Sequence, residues 1–183
     1  MKNILITGNN EGIGLGLYNY LKYDYNVIGY DLAHGQNVAL EPTYSEVIEK
    51  CGDMDVIILN AHTGEQHSML AELYALYKEK RIHCVVLGSM VTQYYDDKEL
   101  VPKQFNFLKY YEDKKNLDDK FKVIQSKGQK PFRITMVRPS WVETPLAKEY
   151  DGKKLSVTSV VQAIVDIIHS HYHITTLNLE EIE

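Results

Sequence analysis

The chain alternates between short runs that are apolar at nearly every position and longer stretches whose apolar residues recur at helical spacing. Residues 4–6 (ILI), 27–30, 54–59 (MDVIIL), 82–87 and 132–137 form the first set. A strand buried on both faces reads this way, because none of its side chains meets water. Between these runs lie helical stretches. The first carries Ile13, Leu15, Leu17 and Leu21, and residues 43–51 predict a short helix. Residues 66–80 carry Met69, Leu70, Leu73, Leu76 and Tyr77 on one broad face. Residues 105–127 predict a long helix stopped by Gly128. Ser156 or Thr158 caps a last helix through Ile168, with Val160, Val161, Ile164, Val165 and Ile168 in helical phase. A brief strand is expected near residues 37–40 and a final one over 173–179. Such alternation predicts an α/β chain with one Rossmann-like, doubly wound parallel sheet of six to seven strands, connected by right-handed crossovers. No linker, internal repeat or low-complexity tract divides it, so residues 1–183 read as one domain.

The segment after the first strand carries chemistry. Gly8, Gly12 and Gly14 stand at the spacing G-x-x-x-G-x-G between a strand and a helix. The second strand ends at Asp31, 19 residues after Gly12. A dinucleotide site needs this order. Glycines allow a tight turn and close backbone approach to a pyrophosphate, and the helix N-terminus offers free N–H groups to its oxygens. An acid at the end of the second strand accepts hydrogen bonds from the adenosine ribose hydroxyls. The same carboxylate repels a 2′-phosphate, and Glu11 adds a second negative charge to the loop, while nothing aims Lys2 or Lys22 at that place. The expected cofactor is therefore NAD rather than NADP.

Composition narrows the class. The chain has 183 residues, 44% hydrophobic and 25% charged, which suits one soluble domain with a sizeable core. A net charge of −5 disfavours nucleic acid and anionic membrane as partners. The two cysteines, Cys51 and Cys84, make no disulfide framework. With no signal-like start and no membrane-length apolar run, a cytoplasmic location is expected. His169, His171 and His173 alternate, but no acid or cysteine completes a ligand set, so no metal is expected.

At this point the chain resembles the short-chain dehydrogenase/reductase family over nearly its whole length. TGNNEGIG, residues 7–14, matches that family's TGxxxGxG loop in full. LNAH, residues 59–62, resembles its NNAG segment at Asn60 and Ala61. Ser89 follows the strand ending VVLG, where the family places a catalytic serine, and RPSWVET, residues 138–144, resembles PGxxxT at Pro139 and Thr144. The resemblance implies dinucleotide contacts from Gly8, Asn10, Glu11, Gly12, Ile13, Gly14, Asp31, Asn37, Asn60, Ala61, Lys114, Pro139, Val142 and Thr144. It also implies a Y-x-x-x-K pair on one helix face, with the lysine lowering the tyrosine pKa and holding the nicotinamide ribose. That pattern occurs six times here, so position must choose. Tyr110 and Tyr111 both sit on the helix after the serine strand. From Tyr110 the helical offsets give Lys114, Leu117, Phe121 and Ile124, a sheet-facing stripe. From Tyr111 they give Lys115, Asp118, Lys122 and Gln125, a solvated face. Tyr110 and Lys114 are preferred, with Ser89 orienting the substrate oxygen.

The implied reaction is hydride transfer between the nicotinamide and a small alcohol or carbonyl substrate. Three departures from the family bear on it. The helix after Asn60 carries no asparagine, which many members use for a proton relay through the lysine; Gln66, Ser68 or a water has to substitute. Ser89 and Tyr110 are 21 residues apart, and the intervening residues 91–104 are expected to wall the substrate. Only residues 145–154 separate Thr144 from the last helix segment, a short lid. The rival readings are a non-catalytic dinucleotide-binding sensor or scaffold and a minimal nucleotide-sugar-modifying member. His62 and Trp141 are candidates to touch substrate or wall the nicotinamide pocket. A homodimer or homotetramer is expected through the helices at 66–80 and 105–127, with Tyr74, Tyr77 and Phe107 in the interface.

Overall fold

The computed structural model describes residues 1–95, 107–128, 130–148 and 150–181. Six parallel strands form one sheet: β1 (Asn3–Thr7), β2 (Asn26–Tyr30), β3 (Val56–Leu59), β4 (His83–Leu87), β5 (Arg133–Pro139) and β6 (Thr176–Leu179). Their order is β2-β1-β3-β4-β5-β6. Between β1 and β3 the direction of winding reverses, and the crevice above that reversal is where open α/β sheets bind ligands.

Among the described residues, six α-helices flank the strands: α1 (Gly12–Leu21), α2 (Thr43–Cys51), α3 (Gln66–Tyr77), α4 (Val91–Tyr94, a single turn), α5 (Phe107–Ser126) and α6 (Val157–His169). Two cores follow from the pleat, which sends alternate side chains to opposite faces. Leu5, Ile57, Leu59, Cys84, Val86, Ile134 and Met136 meet Val47, Leu70, Leu73, Leu117 and Phe121 from α2, α3 and α5. Ile4, Ile6, Ile58, Val85 and Val137 meet Leu17, Leu21, Val160 and Ile164 from α1 and α6. Covering both faces explains why the centres of β1, β3 and β4 read as apolar runs.

The expected strand at residues 37–40 is a turn. Asn37 Oδ1 accepts from Ala39 N at 3.0 Å and Asn37 O accepts from Leu40 N at 3.0 Å, so the segment closes on itself and pairs with no strand. The last strand is shorter than expected, because His173 turns its ring to Ile134 O (3.0 Å) before pairing begins at Thr176. Ser156 does cap α6, accepting from Ser159 N at 3.0 Å. Among the described residues, no helix is long and apolar enough to cross a membrane.

His83 is a buried polar group inside this sheet. Its Nε2 meets Thr135 Oγ1 at 2.8 Å, and the Thr135 hydroxyl is itself donated to Ile174 O, so Nε2 carries the proton toward Thr135. Burial, with Arg133, His173 and Lys2 nearby, pushes its pKa down to about 4. The unfolded chain therefore binds a proton that the folded chain refuses. The resulting stability is complete above pH ~6.5 and is lost as pH falls toward 4. Urea unfolding between those values is expected to show a loss of stability in the native protein that His83→Gln reduces by about 2–3 kcal/mol, with His62 contributing to what remains.

Candidate active site

Four segments meet at the C-terminal edge of the sheet. The first is the loop between β1 and α1. A Cβ on Gly14 would lie 1.8 Å from Gly8 O, so only glycine lets the helix start against the loop. Gly12 has φ +51°, a left-handed backbone that favours glycine. The N-terminus of α1 has no side-chain cap and no acid in its first turn, which leaves its N–H groups open. Ile13 is partly buried in this first turn and packs against the α1/α6 core. Asn60, just past β3, locks the loop: its Nδ2 donates to Gly8 O at 2.8 Å. Thr7 Oγ1 accepts from the backbone N–H of Asn60 (3.1 Å) and Ala61 (3.2 Å). Asp31 lies alongside, its Oδ2 accepting from Asn10 N at 3.2 Å and its Oδ1 from Ala33 N at 2.8 Å. Glu11 is exposed. Asn37 lies in the turn after β2, with its side-chain oxygen spent on Ala39. Asn9, 9% exposed, keeps a buried Oδ1 with no partner.

The second segment follows β4. Gly88 N and Met90 N donate to Val137 O and Pro139 O, which bends the chain over the end of β5. Ser89, 8% exposed, accepts from Val91 N at its Oγ (3.3 Å). The third is α5, whose first turns set Tyr110 near enough to Ser89 for that hydroxyl to favour the ionised phenol. One turn on, Lys114 puts its Nζ 5.7 Å from the Tyr110 ring centre. Lys114 is 3% exposed and donates to Gln66 Oε1 (2.8 Å) and Leu87 O (2.7 Å). Burial lowers its pKa to about 8, opposed by the charges of Asp113 and Asp118. Burial raises the pKa of Tyr110, and the Ser89 hydrogen bond works the other way.

Ser89, Tyr110 and Lys114 are thus brought together. The alternative pair, Tyr111 and Lys115, is split: Tyr111 is buried and donates to Tyr95 O (3.1 Å), while Lys115 pairs with Asp119 on the surface. The expectation of a solvated Tyr111 face is corrected in a second respect. Asp118 is 1% exposed and receives Arg138 Nε and a second guanidinium nitrogen, both at 3.0 Å from Oδ1. Its other oxygen accepts from the Thr92 hydroxyl, and Arg138 is itself 6% exposed. This pair ties α4, α5 and β5 together beneath Ser89. Sequence reasoning missed the pair because Asp118 falls in a charge-rich run on the face read as solvated and its partner Arg138 is 20 residues away on another element.

The fourth segment runs from Pro139 to Thr144. Pro139 ends β5 in register with Leu179, and Val142 bridges to Leu155. Thr144 reaches back to the glycine loop, where its Cγ2 would lie 2.9 Å from a Cβ on Gly12. Trp141 stacks between Phe107 (5.6 Å) and Tyr150 (4.2 Å), and Phe107 stacks on Tyr110 (6.0 Å). His62 packs its ring 4.8 Å from that of Tyr110, and burial pushes its pKa down to about 4, leaving it neutral near pH 7. The alternating histidines do not converge: His169 meets the Tyr25 hydroxyl and His173 meets Ile134 O. Of the expected substrate wall, residues 96–104 lie outside the described residues, as do Phe105 of the expected α5 start and Glu149 of the expected lid.

Solved structures share this fold. A small-chain dehydrogenase in complex with NADPH superposes with a TM-score of 0.76 at 15% identity, covering 98% of this chain and 96% of that one. A short chain dehydrogenase from Burkholderia cenocepacia J2315 in complex with NADP gives 0.72 at 12% identity, covering 98% and 88%. The 3-alpha-hydroxysteroid dehydrogenase from Pseudomonas sp. B-0831, complexed with NADH, gives 0.67 at 19% identity, covering 96% and 94%. The fold is that of the short-chain dehydrogenases/reductases. No family model matches the chain, and no curated protein matches it.

The residues present fit a nicotinamide dinucleotide. The open α1 N-terminus and the glycine approach suit a pyrophosphate, and the unpartnered Asn9 Oδ1, packed against Gly29 of β2, suits a hydroxyl or amino donor of the adenosine end.

Asp118→Asn keeps the side-chain shape but strands a buried guanidinium. It is expected to cost about 3–5 kcal/mol in urea unfolding. Asp119→Asn, which breaks only an exposed pair, is expected to cost less than about 1 kcal/mol.

Proposed function

We propose that this chain is an NAD(H)-dependent oxidoreductase of the short-chain dehydrogenase/reductase family, acting on the alcohol or carbonyl group of a small molecule. The observation that carries the reading is the meeting of Tyr110 with Ser89 and Lys114 beside the glycine loop. When bound, the dinucleotide supplies the hydride chemistry. Tyr110 gives or takes the proton on the substrate oxygen, and Ser89 hydrogen-bonds that oxygen. Lys114 holds a positive charge behind Tyr110 and offers a donor to the nicotinamide ribose. Val142 and Thr144 hold the carboxamide end, with Pro139 turning the chain toward it. Asn60 and Ala61 line the middle of the cofactor; Gly8, Asn10, Glu11, Gly12, Ile13 and Gly14 line the pyrophosphate.

Asp31 and Asn37 take the adenosine end. Preference for NAD over NADP rests on the Asp31 carboxylate, which is held against the loop where a 2′-phosphate would add a like charge. Assembly through α3 and α5 into a dimer or tetramer belongs to the same reading. Tyr74 and Tyr77 already donate within the chain, to Gly128 O and Ile48 O, so Leu76, 57% exposed on α3, is the better anchor for that contact.

Calorimetric titration is expected to show NADH binding at least about tenfold tighter than NADPH. Equal affinity overturns the Asp31 argument. With a turned-over alcohol or ketone in hand, Tyr110→Phe is expected to lower kcat by about 10²–10⁴-fold with dinucleotide affinity unchanged. Dinucleotide binding without turnover on any alcohol, ketone or sugar favours the sensor reading instead.

A further inference from the structure

Lys114 raises a question that its place beside Tyr110 does not answer: what holds a cation that is 3% exposed. An ammonium has three N–H groups and no acceptor. The carbonyl oxygen of Leu87, at the end of β4, takes one at 2.7 Å. Gln66 Oε1 takes another at 2.8 Å. One N–H is left for the open side of the site.

Gln66 is the first residue of α3, 6% exposed. Its own orientation is fixed. Nε2 donates to Leu59 O at 2.7 Å and, more weakly, to Leu87 O at 3.4 Å. A flipped amide would turn its oxygen toward those two carbonyls and its nitrogen toward the ammonium, losing every one of these bonds. The ends of β3 and β4 therefore dictate that an acceptor faces Lys114. Ser68, the other side chain able to substitute here, turns to His67 Nε2 at 3.3 Å.

We propose that Gln66 is the positioning residue of this site: it holds Lys114 through a direct amide bond and keeps it charged, so that no water behind the lysine is required. The functional part of this inference rests on the oxidoreductase reading; the contact itself does not. The other charged or titratable groups facing Lys114 are Tyr110, Asp113 and Asp118 on its own helix and His62 from the segment after β3. Arg138 from β5 reaches it only through Asp118. Asp113 is shared with Lys109 and Asp118 with Arg138, and His62 is neutral near pH 7, which leaves Gln66, beside the backbone carbonyl of Leu87, as the side-chain acceptor of the lysine among the described residues.

The test titrates the lysine directly. In protein labelled with ¹⁵N-lysine, the Lys114 Nζ resonance, assigned by its loss in Lys114→Met, is followed with pH in the native protein and in Gln66→Met. Methionine keeps the length and removes the acceptor. The expected outcome is a titration near 8 in the native protein and about one pH unit lower in the variant. The alkaline limb of the kcat profile is expected to move down with it, with KM for substrate little changed. Gln66→Glu, which keeps an acceptor oxygen at the same reach, is expected to move both upward. It decides the matter if Gln66→Met does not fold. A Lys114 titration unmoved in either variant overturns the proposal, even where melting temperature falls. If the native protein turns nothing over, the oxidoreductase reading fails while the resonance still decides the Gln66–Lys114 bond.

Discussion

A positive charge buried at the end of a parallel sheet constrains everything around it. Lys114 is 3% exposed, and a cation so placed must be given acceptors or it sheds its proton. The fold supplies them from structure that the sheet itself makes scarce. Carbonyls at strand ends have no ladder partner, and Leu87 O is one of them. The remaining need is met by Gln66, aimed by the neighbouring strand end. Asp118, one turn along α5, adds negative charge but is neutralised by Arg138. The outcome is a lysine that stays cationic at moderate pH yet is easily discharged, next to a tyrosine that burial makes reluctant to ionise.

Much of the fold was legible because burial on both faces erases polar positions from a strand. Residues 4–6, 54–59 and 82–87 read as strands for this reason, and the glycine loop announced itself by standing between a strand and a helix. The phase of α5 was also legible: Leu117, Phe121 and Ile124 are buried, and they carry Tyr110 and Lys114 to the same side. Periodicity failed where a local hydrogen bond outweighed it. Asn37 has neighbours suited to a strand, but its side chain closes a turn onto Ala39. An apolar pattern records what a residue avoids, not which backbone group its side chain captures.

The polar interior was the least legible part. Asp118 lies in the run EDKKNLDDK, where composition argues for a solvated face. Its burial depends on Arg138, which is on a strand 20 residues away and carries no local mark of pairing. Gln66 stood level with Ser68 as a stand-in for the missing asparagine. Two positions apart on a helix, they point to nearly opposite sides, and only the start of α3 relative to β3 decides which one faces the lysine. Charges and amides in a core are specified by partners remote in the chain, whereas apolar side chains need only be inside.

The contact between Gly12 and Thr144 joins the first helix to the turn after the fifth strand. Ser89, Tyr110, Lys114 and Gln66, by contrast, all come from the elements before β5. In a parallel sheet each pairing waits for a crossover to be closed, and long closures are slow. The chain can hold most of its hydrophobic core while the stretch beyond β5 is still unplaced, and at that stage nothing covers the glycine loop. The cover that Thr144 places on the glycine loop is therefore the part of the site that depends on the last segments of the chain.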